Sequence, residues 1–303
     1  MDKINGFISA PFTPMHDDGS VNFSEIGEYA KYYIRNGIDG AFICGTSGEG
    51  LLLSSEERKG VAEKWVESSP DQFKSIVHVG GAVLDESRKL ARHAMEVGAW
   101  GIGTIAPVFF KPSRVEDLVE YCSELASAAP DLPFYFYHMP GYTGVYLSMV
   151  DFLEQAYERI PNLAGIKYTH ENLYEFDQCR KLKEGHFDLL HGQDETLLAG
   201  LALGATGGVG GSYNHAMGLY ITMKKAFLEG DMETARECQS KSQAFINVLI
   251  KYRGNVMAGK RIMKFLGIDC GPNRIPLQNI TEEEELKLKS ELEEINFFSF
   301  CNK

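Results

Sequence analysis

No stretch of this 303-residue sequence approaches the ~18 uninterrupted apolar residues that a membrane-spanning helix needs. Its opening residues, Met1-Asp2-Lys3-Ile4-Asn5-Gly6, lack the charged-then-apolar order of an export signal. Basic residues are the minority: Lys and Arg total 30 against 42 Asp and Glu, a formal net charge of -12 at pH 7. That charge repels nucleic acid and anionic membrane, so neither is expected as a partner. The six cysteines (Cys44, Cys122, Cys179, Cys238, Cys270 and Cys301) form no C-x-x-C pair and have no histidine at metal-ligand spacing. They read as reduced thiols of a soluble cytoplasmic protein. A dinucleotide fingerprint is absent as well, so no metal and no other cofactor is expected.

What the sequence does contain is alternation. Short β-rich runs give way to longer amphipathic ones about eight times, the pattern of strand–helix units around a parallel sheet. The strands are expected at Gly6 to Phe12, Gly40 to Cys44, Ser75 to Val79, Trp100 to Ala106, Pro133 to Met139, Leu163 to Thr169, Phe187 to His191 and Thr206 to Gly211. Helices begin near Asn22, with Ile26, Tyr29, Ala30 and Tyr33 on one stripe, and at Ser54-Ser55-Glu56-Glu57, a capping-box spacing. After Asn214 the strand signals stop and about three helical stretches remain: Ala216 to Leu228, Met232 to Tyr252 and Thr281 to Ile295. The expected fold is α/β, a (β/α)8 TIM barrel over residues 1–230 with a C-terminal helical extension over 231–303. No Pro, Gly or Ser linker separates the two, so they are read as one structural unit.

The sixth run, Leu163-Ala164-Gly165-Ile166-Lys167-Tyr168-Thr169, reads as a buried strand that carries a lysine. Side chains alternate along a strand, so Lys167 shares a face with Gly165 and Thr169, while Ala164, Ile166 and Tyr168 take the other. Burial disfavours an ammonium and lowers its pKa from about 10.4, leaving a nucleophilic amine near neutral pH. The plainer alternative is a lysine that snorkels to solvent or pairs with a carboxylate.

In a closed barrel of parallel strands, active sites lie at the C-terminal ends of the strands. There this sequence places Thr46 and Ser47 after strand two, Tyr137 and His138 on strand five, Lys167 and Thr169 on strand six, Gly192, Asp194 and Glu195 after strand seven, and Gly210 and Gly211 on strand eight. Hydroxyls, a phenol, an amine and carboxylates thus converge on one mouth. His138 and His191 have no metal-ligand partners and read as hydrogen-bonding residues of the pocket wall.

Four ordered motifs sit on these strand ends: Gly45-Thr46-Ser47-Gly48-Glu49; Tyr137-His138-Met139-Pro140 followed by Thr143-Gly144; Gly165-Ile166-Lys167; and Gly208-Val209-Gly210-Gly211-Ser212-Tyr213-Asn214. On them the chain resembles the N-acetylneuraminate lyase and dihydrodipicolinate synthase group of class I aldolase-like barrels, over nearly its whole length. The resemblance implies a Schiff base between Lys167 and the C2 ketone of a 2-keto acid. It implies proton transfer by Tyr137, with help from Lys167, a carboxylate cradle at Thr46 and Ser47, and a homotetramer. The iminium serves as electron sink, so the chemistry needs no cofactor. Thr169, Gly192, Gly210 and Gly211 are carried over as substrate neighbours.

Within the group, the synthase branch usually has an arginine where this chain has Tyr142, and loss of that clamp argues against a dicarboxylic partner. The Asp194-Glu195 pair resembles the lyase branch, where carboxylates suit the hydroxyls of a sugar tail; the bland reading is that the two acids merely open the next helix. The expected substrate is therefore a small 2-keto sugar acid, with reversible cleavage of a sialic acid to pyruvate and N-acetylmannosamine as the leading reading. Another 2-keto-3-deoxy sugar acid, or a non-catalytic sugar-acid binding barrel, is the alternative. Three departures stand out: Gly211 where lyases often have serine, Phe109 and Phe110 where many relatives have tyrosine, and Tyr142 where leucine is common among lyases.

Overall fold

A computed structural model describes residues 3–303. Eight parallel strands close in chain order, each paired with the next and β8 with β1. They are β1 (Phe7–Ser9), β2 (Gly40–Ile43), β3 (Lys74–His78), β4 (Gly101–Ile105), β5 (Phe134–His138), β6 (Leu163–Tyr168), β7 (Asp188–His191) and β8 (Gly208–Gly210). The expected TIM barrel is therefore the fold, and the strands are shorter than their apolar runs for local reasons. β1 stops ahead of Pro11, which has no N–H to donate to a ladder. β2 stops at Ile43 because Cys44 turns left-handed, with φ 56°.

Helices cover the barrel where the periodicity places them. Phe23–Arg35 buries Ile26, Tyr29, Ala30 and Tyr33, and also Tyr32. Ser55–Glu67 starts on a complete capping box: Glu57 N–H donates to Ser54 Oγ at 3.2 Å, and Ser54 N–H donates to Glu57 Oε2 at 2.8 Å. Two apolar layers result. One lies between strands and helices; the other fills the barrel with Ile8, Phe42, Ile76, Tyr135, Tyr137 and Leu190 among others.

Strict alternation fails at one residue of β6. Ala164 belongs to the interior layer, whereas Ile166 and Tyr168 face the helices as expected. The ladder with β5 slips here: Phe134 pairs with Leu163 but Tyr135 pairs with Gly165, so Ala164 is an extra residue. Beyond the slip the register runs Tyr137 against Lys167, and both point inward.

The C-terminal part departs further from expectation. The helix after β8 is Tyr213–Glu229, with a break at Ala216 (φ −147°, ψ 45°) that interrupts its periodicity. Met232–Lys251 and Glu282–Glu294 match their expected spans closely. Between them lies a stretch missing from the sequence reading: a π-helical turn, Asn255–Gly259, running into Lys260–Phe265. Gly254 enters it at φ 89°, and π spacing does not repeat at 3.6 residues. Near the C-terminus Asn302 docks onto the Tyr213–Glu229 helix, donating to Tyr213 O at 3.1 Å and Asn214 O at 3.0 Å and accepting from Met217 N–H at 2.6 Å. Among the described residues no helix is long and apolar enough to cross a membrane.

Candidate active site

Lys167 is 4% exposed and makes no ion pair among the described residues. Its Nζ lies 3.8 Å from the centre of the Tyr137 ring and 4.2 Å from that of Phe42. These π faces attract a cation, yet loss of water outweighs them. Burial brings the Lys167 pKa down to about 7, against the opposing pull of the Asp194 charge. An amine in this setting is substantially neutral, and so nucleophilic, at neutral pH.

Tyr137 neighbours Lys167 because β5 and β6 pair at those two residues. Its hydroxyl meets Met139 Sδ at 3.0 Å. Burial pushes the phenol up to about 12, while the side chains of Thr46 and Thr169 pull the other way. Lys167 lies over the ring of this phenol and is not among the groups that shift its pKa. The site holds a reluctant acid next to a reluctant cation.

The turn after β2 brings Thr46 and Ser47 to the same mouth. Cys44 and Glu49, both left-handed (φ 56° and 54°), bracket it; Glu49 N–H bonds Thr46 O at 3.1 Å and Thr13 Oγ1 bonds Gly48 O at 2.7 Å. Glu49 forms a fully buried ion pair with Lys260 (2.7 Å) and also accepts from Arg274 N–H at 2.8 Å. Neither Glu49 nor Lys260 announces this pairing in the sequence. Their separation of 211 positions leaves no local signal.

Opposite, Asp194 is buried while Glu195 is half-buried. Asp194 does not cap the turn it opens; its Oδ2 accepts from Ser212 N–H at 2.8 Å and from Ser212 Oγ. Ser212 in turn meets Tyr220, whose hydroxyl meets Ser242 Oγ at 2.9 Å, and Gln239 Nε2 donates to Asp194 O at 3.1 Å. Burial raises the Asp194 carboxyl to about 6 despite the Ser212 bonds. Asp194 Oδ1 and Thr169 Oγ1 are both buried with no partner, two polar atoms that a ligand hydroxyl or carboxylate would satisfy. Gly192 and Gly210 leave room for their neighbours: a Cβ at Gly192 would collide with Thr169 Oγ1, and one at Gly210 with Asp194 Oδ1.

Both histidines depart from the expected pocket wall. His138 alternates away from Tyr137 and packs against Phe136 and Tyr168 in the helix-facing layer, with Nε2 unbonded. His191 bonds Thr196 Oγ1 at 3.0 Å and packs edge-on against Phe176. Neither lines the mouth, because strand alternation turns both outward; burial lowers them to about 3 and about 4. Phe109, Phe110 and Tyr142 are exposed. No group of three or more His, Cys, Asp or Glu able to hold a metal occurs among the described residues.

This architecture is shared widely. The family model described as the Dihydrodipicolinate synthetase family matches residues 3–295. The chain is 42% identical over 304 residues to the N-acetylneuraminate lyase of Rattus norvegicus, across 98% of this chain and 94% of the relative. It is 41% identical over 304 residues to that of Homo sapiens, across 99% and 95%. The solved structure of Proteus mirabilis N-acetylneuraminate lyase superposes with a TM-score of 0.95 at 42% identity, covering 98% of this chain and all 100% of that one.

Proposed function

The chain belongs to the dihydrodipicolinate synthetase family, and from that premise we propose that it is a carbon–carbon lyase that cleaves N-acetylneuraminate reversibly to N-acetylmannosamine and pyruvate. One observation carries the chemistry: a buried, unpaired Lys167 beside Tyr137 at the C-terminal end of β6. The similarity to N-acetylneuraminate lyases over almost the full chain supports the substrate.

In this reading the neutral Lys167 amine adds to the C2 ketone, and Tyr137 gives its proton to the hydroxyl that leaves as water. The phenolate so formed faces the new iminium, which stabilises it far better than the apolar free site does. It then accepts the C4 hydroxyl proton as the C3–C4 bond breaks; the aldehyde departs and the electron pair stays as an enamine. Tyr137 returns that proton to C3, and water hydrolyses the pyruvate imine to free Lys167. Thr46 and Ser47 hold the substrate carboxylate, while Asp194 and Glu195, with Thr169, Gly192 and Gly210 beside them, receive the polyol tail. A neutral tail suits Asp194, since a second carboxylate there would face an acid already resisting ionisation.

We assign residues 1–230 and 231–303 to one working unit in the cytoplasm, assembled as a homotetramer. The Gln239 and Asn302 bonds across the boundary support the first part. The test is borohydride reduction with pyruvate, which adds three carbons to Lys167, together with pyruvate release from N-acetylneuraminate and from a panel of keto-deoxy sugar acids. An unmodified Lys167 in folded protein overturns the Schiff base; faster turnover of a keto-deoxy acid overturns the sialic acid.

A further inference from the structure

The C-terminal extension sends one amide into the barrel mouth. Asn255 opens the π-helical turn and donates from Nδ2 to Ser47 Oγ at 3.1 Å, across 208 positions of sequence. Ser47 is itself buried, accepts this bond and donates to no described residue. The amide occupies the room left by Gly211: a Cβ at that position would lie 2.5 Å from Asn255 Nδ2 and 3.3 Å from Ser47 Oγ. Gly211 and Asn255 therefore compete for a single volume beside one hydroxyl.

A hydroxyl has one proton to give and two lone pairs to receive with. When Asn255 fills a lone pair of Ser47, the Ser47 proton must turn away from the amide, and donation into the oxygen polarises the O–H bond. We infer that Asn255 is a positioning residue that holds Ser47 as a hydrogen-bond donor to the carboxylate of the 2-keto acid, and that Gly211 is the missing side chain that admits it. The absent hydroxyl at 211 is thereby replaced from a different element, and the cradle is incomplete without the extension. This inference rests on the carboxylate role given to Ser47 above.

The test follows borohydride labelling of Lys167 as a function of pyruvate concentration, which does not depend on which sugar is the aldehyde partner. In Asn255→Ala the half-saturating pyruvate concentration rises about tenfold, the equivalent of one hydrogen bond to a charged group, with the plateau of labelling unchanged. Asn255→Asp, of the same shape, raises it further, since a carboxylate takes the Ser47 proton and repels the substrate. Gly211→Ser weakens pyruvate binding alone, by collision with Asn255, but restores it in the Asn255→Ala background, where the new hydroxyl can donate to Ser47. Half-saturation in Asn255→Ala within about twofold of wild type overturns the inference. So does Asn255→Asp binding pyruvate as well as Asn255→Ala, or Gly211→Ser acting equally in both backgrounds. Should Asn255→Ala fail to fold, the isosteric Asn255→Asp carries the comparison with wild type. Wild-type protein that is never labelled overturns the Schiff base and this inference together; labelled wild type with unaltered variants overturns the inference alone.

Discussion

At Lys167 the cost of burying a cation and the nucleophilicity proposed for it have one cause. Folded, the group titrates at about 7 against an ordinary 10.5. Between those values the unfolded chain holds a proton that the folded one releases, so stability increases with pH across that window, and below it the deficit is complete. The interval corresponds to about 5 kcal/mol. Lys167→Met removes the penalty: its thermal midpoint should exceed wild type by several degrees at pH 7 and below, with the gain fading towards pH 10.5. A gain that grows with pH would contradict the buried-cation account. The same titration governs reactivity, so the rate of pyruvate imine formation should climb through about pH 7 and level off above it, as stopped-flow or timed borohydride quenching can follow. In the proposed reaction Tyr137 plays a separable part. Tyr137→Phe should lower kcat by roughly 10²–10³-fold while equilibrium labelling of Lys167 with pyruvate persists; equal loss of both would make the phenol a packing residue only. The motifs made both residues legible in the sequence. The pKa values were not, because desolvation depends on what the closed barrel removes from water, and no window of sequence states that.

Among the elements, the turn after β2 shows how far a strand end can depend on remote support. Its reach towards the mouth is set by two left-handed residues, and Glu49 of that pair is tied to Lys260 in a fully buried ion pair. Breaking such a pair on one side strands a charge, so Lys260→Met should lower unfolding free energy in urea by about 3–5 kcal/mol, and adding Glu49→Gln should recover part of the loss. A double variant no better than the single one would mean that packing, not charge, dominates there. Strand positions and most helices followed from periods of 2 and 3.6, and the capping box at Ser54 from its spacing. The slip at Ala164 did not, since a bulge is decided by the neighbouring strand: β5 and β6 pair with one residue of mismatch. The outward turn of His138 was available from strand parity, once Tyr137 was taken as inward; that of His191 needed the register that pairs it with Tyr168.

Over the whole molecule, the last residues close the structure by returning to its middle. Asn302 satisfies the carbonyls of Tyr213 and Asn214 and the N–H of Met217, at the start of the helix that follows β8. Asn302→Ala takes this partner from the Met217 N–H and the Tyr213 carbonyl, while Asn214 O keeps the Tyr32 hydroxyl at 3.0 Å, and a loss of about 1–3 kcal/mol in a denaturant titration is expected; an unchanged midpoint would show that water reaches them. By itself the sequence determined the barrel, the strand ends at which chemistry gathers, and the amine, phenol, hydroxyl and carboxylate types found there. These are properties of local period and of motif, legible within a dozen residues. Tertiary structure alone decided that Asp194 is held by Ser212, that Glu49 is anchored by Lys260, and that Asn255 stands where Gly211 has no side chain. Such contacts join residues up to about two hundred positions apart, and only closure of the chain brings them within hydrogen-bonding distance.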